Sequence, residues 1–129
     1  MWEISPTTQW DKDRKFYEKK HSRELAAVLN NLSRYMALLN CSKNARCVIA
    51  GYLHPEPHGV VAIDQKGGGA GLQETRMYVY PDEASRLLYL ITIGNKDTQQ
   101  ADIKLSSRFI TDYFPDLFSQ KPNPPEPKK

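Results

Sequence analysis

At 129 residues the chain has room for one domain with a core of its own. Its 40% hydrophobic and 26% charged residues are those of an ordinary globular protein, and no apolar run approaches the ~20 residues of a membrane span. The net charge of +3 does not by itself predict a polyanionic partner, because Lys121, Lys128 and Lys129 face only Glu126 in the tail and leave about +1 on the body.

The opening Met-Trp-Glu-Ile-Ser-Pro has no basic region followed by an apolar stretch, so no signal peptide is expected and the expected location is cytoplasmic. Cys41 and Cys47 fit no metal or redox spacing and are expected as buried small hydrophobes or idle thiols.

In chain order, residues 2–8 read as a short strand, with Trp2 and Ile4 alternating against polar neighbours. Residues 9–21 are dense in charge around Trp10, Phe16 and Tyr17, the pattern of a solvated amphipathic helix. Ser22 can cap a second helix, in which Leu25, Val28, Leu29, Leu32, Met36 and Leu39 recur at helical spacing. The two form a helical hairpin over 9–40. Residues 41–58 are ambiguous: Val48 and Ile49 can continue a helix or begin a strand, whereas Pro55 and Pro57 exclude regular helix. Three strands follow at about 59–66, 72–80 and 86–94, separated by the loop Gly-Gly-Gly-Ala-Gly and a Pro81-Asp82-Glu83 turn. The third is apolar on both faces and is expected to be central. Asp97 or Thr98 can cap a last helix of 98–114, which stops before Pro115. The fold class is therefore α+β: an N-terminal strand, a helical hairpin, a three-stranded antiparallel meander and a C-terminal helix. One domain spans 1–118, and the Pro- and Lys-rich tail 119–129 is expected to be disordered.

Hairpin geometry brings dispersed basic residues together. A glycine loop centred near 69 sets Lys66 opposite Gln73, and a turn centred near 83 sets Arg76 opposite about residue 91. Lys96 projects beyond the same end of the sheet, and Glu74 and Arg76 share a face. The last helix starts there as well, offering free N–H groups to a phosphate. Arg and Lys converging in this way suit phosphodiester chemistry, in which charge grows on phosphate oxygens and a nearby Lys or Glu handles the proton. The alternative is that Arg76 pairs with Glu74 or a helix carboxylate and both lysines are plain surface. His54 and His58 flank Glu56 as acid–base candidates, while Tyr78, on the face of Arg76, reads as sheet packing. The glycine loop lacks the Lys-Ser/Thr ending of a P-loop.

The element order, and above all Thr-Arg-Met-Tyr-Val-Tyr (75–80) followed by Leu-Tyr-Leu-Ile-Thr-Ile-Gly-Asn-Lys (88–96), resembles the RelE and HigB type toxins of bacterial toxin–antitoxin pairs. The resemblance covers most of residues 2–112. Pro55-Glu56-Pro57 is similar to a stretch of the related YoeB toxins that carries a catalytic Glu. The resemblance implies an endoribonuclease that cuts messenger RNA in the ribosomal A site by attack of the RNA's own 2′-hydroxyl, without metal or cofactor. The implied catalytic set is Arg76 for the transition state, Lys96 for the phosphate or leaving oxygen, and Lys66 or Glu56 for the 2′-hydroxyl proton. The RNA-binding set is Lys66, Arg76, Lys96 and Lys104. The implied partners are an antitoxin protein, messenger RNA and the 30S ribosomal A site, and no membrane. Two departures stand out. Asp102 falls where a RelE tyrosine is expected, with Tyr113 about three helical turns further on, and the body is less basic than a ribosome-binding toxin. The competing expectations are a non-enzymatic gyrase poison resembling ParE, and an inactive fold member acting as a protein-binding module.

Overall fold

The structure, a computed structural model, describes residues 1–115. The end of the expected domain at 118 and the expected tail lie outside the described residues. Among the described residues the fold is α+β, with three helices and one five-stranded mixed sheet. In order these are β1 (Glu3–Pro6), α1 (Thr8–Lys20), α2 (Ser22–Cys41), β2 (Leu53–Pro55), β3 (Val61–Asp64), β4 (Thr75–Asp82), β5 (Leu87–Asn95) and α3 (Gln99–Tyr113). Single 3-10 turns lie at Ala45–Cys47 and Pro57–Gly59, so Val48 and Ile49 join neither a helix nor a strand.

The sheet order is β1-β5-β4-β3-β2. It departs from a plain three-stranded meander at both sides: β1 adds in parallel beside β5, and β2 adds antiparallel beside β3. β5 is thus flanked by two strands, in keeping with its apolar run. Pro81 and Asp82 belong to β4 rather than to the turn, which lies further on and uses Arg86 at φ 59°. β3 pairs only as far as Val79, so on that side no strand partner stands opposite Pro81, which faces Leu88 on the other.

Two cores form, one on each face of the sheet. Leu25, Val28, Leu32, Tyr35 and Leu39 of α2 pack with Trp10 and Tyr17 of α1 against Ile63, Met77, Val79, Leu90 and Ile93. Ile110 of α3 packs over Ala62, Tyr78, Tyr80 and Ile91. A bulge explains how β5 serves both. Tyr78 pairs with Thr92 and Val79 with Leu90, leaving Ile91 as the extra residue, so Leu90 and Ile93 turn to the hairpin while Ile91 turns to α3.

The charge run of α1 is not simply a wet face. β1 covers β5 only as far as Leu90. Beyond it the Thr7 hydroxyl donates to the Ile91 carbonyl, and the Asp13 carboxylate accepts the Ile93 N–H at 3.0 Å and the Thr92 hydroxyl. A helix side chain thereby satisfies a strand edge that would otherwise be unpaired. The expected Ser22 cap is not made: Ser22 is already helical, and the cap position falls to His21, whose side chain makes no cap bond. Both cysteines are exposed and free, so they are not core residues. No helix among the described residues is long and apolar enough to cross a membrane.

Candidate active site

A cluster of ionisable side chains lies at the end of the sheet beside the start of α3. The sheet's register differs from simple hairpin geometry. Arg76 stands opposite Asp64 on one side and Gly94, not residue 91, on the other. The shift has two sources, the later turn at Arg86 and the bulge at Ile91. Lys66 does not stand opposite Gln73. β3 ends at Asp64, and from there the chain peels away under the control of α2. Asn31, fully buried in α2, donates to the carbonyls of Asp64 and Lys66, each at 2.9 Å. Glu24 accepts the Gln73 N–H, Arg23 donates to the Ala70 carbonyl, and Gly68 lies so close to Ala27 that an added Cβ would meet it at 2.3 Å. The glycine loop is docked on a helix, not free.

Arg76 is the centre of the arrangement. Its guanidinium lies 3.6 Å from Glu56 and 3.5 Å from Glu74, with its side chain 19% exposed. Glu56 is the more buried of the two carboxylates. Burial pushes its carboxyl above the usual carboxylate range, while Arg76 and then His54 pull it back. Beside it, His54 Nε2 lies 2.6 Å from Asp64 Oδ2, and the other oxygen of the buried Asp64 accepts the Lys66 N–H. The alternation of an extended chain sets His54 and Glu56 on one side of the β2 segment. A carboxylate-held imidazole and a desolvated carboxylate are thereby brought to one arginine.

Behind this front lies a buried polar layer. The Tyr78 hydroxyl and Arg76 Nε have no hydrogen-bond partner among the described residues. The Tyr78 hydroxyl is held well above its usual range, first by burial and then by Asp102, Glu56 and Glu74, with Arg76 opposing. Asp102 accepts the Thr98 hydroxyl at 2.7 Å and sits directly over Gly94. Burial, and then Asp13, raise its carboxyl, against the Thr98 hydrogen bond.

The first turn of α3 is less open to a phosphate than its position suggests. Thr98 occupies the cap position but spends its hydroxyl on Asp102, and the Asn95 side chain accepts the N–H groups of Asp97 and Thr98.

Of the residues singled out in the sequence, Arg76 and Glu56 meet. Lys66 reaches the cluster only at its rim: Nζ donates to the Gly51 carbonyl and lies 3.7 Å from Asp64. Lys96 and Lys104 are exposed and make no contact with Arg76. Tyr113 is exposed and stacks on Phe109, near Tyr89 and Phe114, so it belongs to an aromatic cluster and not to this site. Sequence reasoning missed Asp64. Its signal was a lone acid closing the apolar run Val60–Ile63, where a buried carboxylate demands a partner.

No known family pattern matches the chain, and no curated protein is significantly similar to it.

Proposed function

We propose that the chain is the toxin of a RelE-type toxin–antitoxin pair, an endoribonuclease that cuts ribosome-bound messenger RNA at the Glu56–Arg76 site. The observation that carries this reading is a partly desolvated carboxylate beside an arginine, next to a histidine held by a buried aspartate. That is a base, an anion stabiliser and an acid within one group of side chains.

In the proposed reaction Glu56 takes the proton of the RNA 2′-hydroxyl. The 2′-oxygen bonds to phosphorus while the bond from phosphorus to the 5′-oxygen breaks. His54, oriented by Asp64, gives its proton to the departing 5′-oxygen, leaving a 2′,3′-cyclic phosphate and a 5′-hydroxyl. Arg76 faces the phosphate oxygens as they gain charge. Glu56 suits the base better than Lys66, whose ammonium is exposed and already donates to Gly51. Lys96 and Lys104 are left to bind flanking phosphates. An antitoxin partner and the 30S A site belong to this reading.

The acidic surroundings of Arg76, with Glu56, Glu74, Asp64 and Asp102 nearby, supply the argument for a second reading, a non-enzymatic gyrase poison resembling ParE. Primer-extension mapping of messenger RNA during induced expression separates the two. Cuts within translated codons that vanish with Arg76→Ala are the expected result. Growth arrest without cuts moves the assignment to the gyrase poison, and neither arrest nor cuts leaves an inactive protein-binding module.

A further inference from the structure

The net positive charge of the described chain is not at the candidate site. Residues 1–115 carry fifteen Lys and Arg against thirteen Asp and Glu. Residues 10–23 alone hold six basic and three acidic groups, so everything else has nine against ten. A polyanion is not drawn to this protein by the site itself.

The excess on α1 is sorted by face. Trp10 and Tyr17 are buried against the core. On the opposite side Lys12, Lys15 and Lys19 recur at i, i+3 and i+7, with Phe16 among them and Lys20 adjoining. All five are exposed. Of the acids on the helix, Asp13 is spent on β5 and Glu18 pairs with Arg14 at 3.0 Å, while Asp11 forms no ion pair among the described residues. None of the four lysines pairs with a carboxylate among the described residues.

We infer that the Lys12–Lys15–Lys19 face of α1, with Lys20, is a docking surface for a nucleic-acid phosphate backbone, separate from the Arg76 site and supplying the attraction that the site lacks. One exposed aromatic ring among lysines is too little apolar surface for the core of a protein interface or for a membrane-inserting helix. It suits a backbone contact, which needs spaced positive charge and no pocket. The choice of RNA as natural ligand rests on the proposed function. The surface itself does not.

The test uses the full chain, its Lys12→Gln/Lys15→Gln/Lys19→Gln and Lys12→Glu/Lys15→Glu/Lys19→Glu variants, and Arg76→Ala. Binding to a labelled RNA stem, and to a DNA duplex of equal length, is followed from low to moderate salt, with helix content checked by circular dichroism. Gln and Glu propagate helix about as well as Lys. The neutral variant should weaken binding at least about tenfold and reduce the slope of log K against log salt by about 2 to 3, with a larger loss for the reversed variant. The stronger of the two nucleic acids identifies the source of the phosphate. Unchanged affinity and slope in folded variants overturn the inference, as does absence of binding by the wild type, or tighter binding to an acidic peptide. Binding that depends on α1, with no cutting of ribosome-bound messenger RNA by the same protein, upholds the surface and defeats the nuclease reading; such cutting, with binding independent of α1, does the opposite.

Discussion

Asp102 shows how a single position can separate the pull of fold from that of chemistry. It occupies the place where the resemblance asks for a tyrosine, and the structure uses it to tie Thr98 across the first turn of α3. The cost is a carboxylate out of water with Asp13 near enough to oppose its charge. Because its folded carboxyl lies above the ordinary value, the folded state holds the proton more tightly than the unfolded chain. Its contribution to stability is full below the unfolded value of ~3.9 and is lost as pH rises through the folded one. Asp102→Asn keeps an acceptor for Thr98 and removes the charge. At pH 7 it should therefore stabilise the protein by about 1 kcal/mol, with the advantage fading as the pH falls through the folded value and gone by about 4. Urea denaturation of both proteins across that range checks it, and a less stable variant at pH 7 contradicts the assignment.

At the level of elements, the site exists because β4, β5 and α3 meet in one register, and Gly94 is where they touch. A Cβ there would stand 1.7 Å from an Asp102 oxygen and 2.4 Å from the Thr98 hydroxyl. Gly94→Ala should accordingly cost about 1–3 kcal/mol by overpacking, and Asp102→Ala in the same chain should recover part of it. Additive losses in the double variant would show that α3 does not bear on Gly94. Much of this level was readable in advance. Helical spacing marked α2, β-prone runs marked β4 and β5, and Gly94 followed by Lys96 marked the strand end. The register of Arg76 was not readable, because the bulge at Ile91 follows from two cores competing for one strand, and no local pattern records that competition. The extra strand β2 was hidden by Pro55 at its end and Pro57 just beyond, which exclude helix and yet suit a three-residue sheet margin. Asp13 was hidden by its neighbours: in a run of charges nothing local distinguishes the one that reaches a strand edge.

For the molecule as a whole, the sequence named Arg76 and Glu56 separately, without foreseeing that they meet, and overstated the basic character of their surroundings. Side-chain identities give charge, whereas pairing depends on which carboxylates the fold delivers. Here it delivers Glu56 and Glu74 to the arginine and Asp64 to His54. In the proposed reading the molecule divides its work accordingly, with proton transfer at the sheet end and net positive charge along α1. The first of these assignments is tested most directly by the chemistry of the product ends. Purified protein is added to ribosomes programmed with a defined message, and the fragments are analysed for wild type, Glu56→Gln and His54→Asn, each checked for folding. The account predicts a 2′,3′-cyclic phosphate on the upstream fragment and a 5′-hydroxyl on the downstream one, with the rate lowered at least about a hundredfold by either substitution. Fragments ending in a free 3′-hydroxyl, or undiminished cutting by Glu56→Gln, would contradict it.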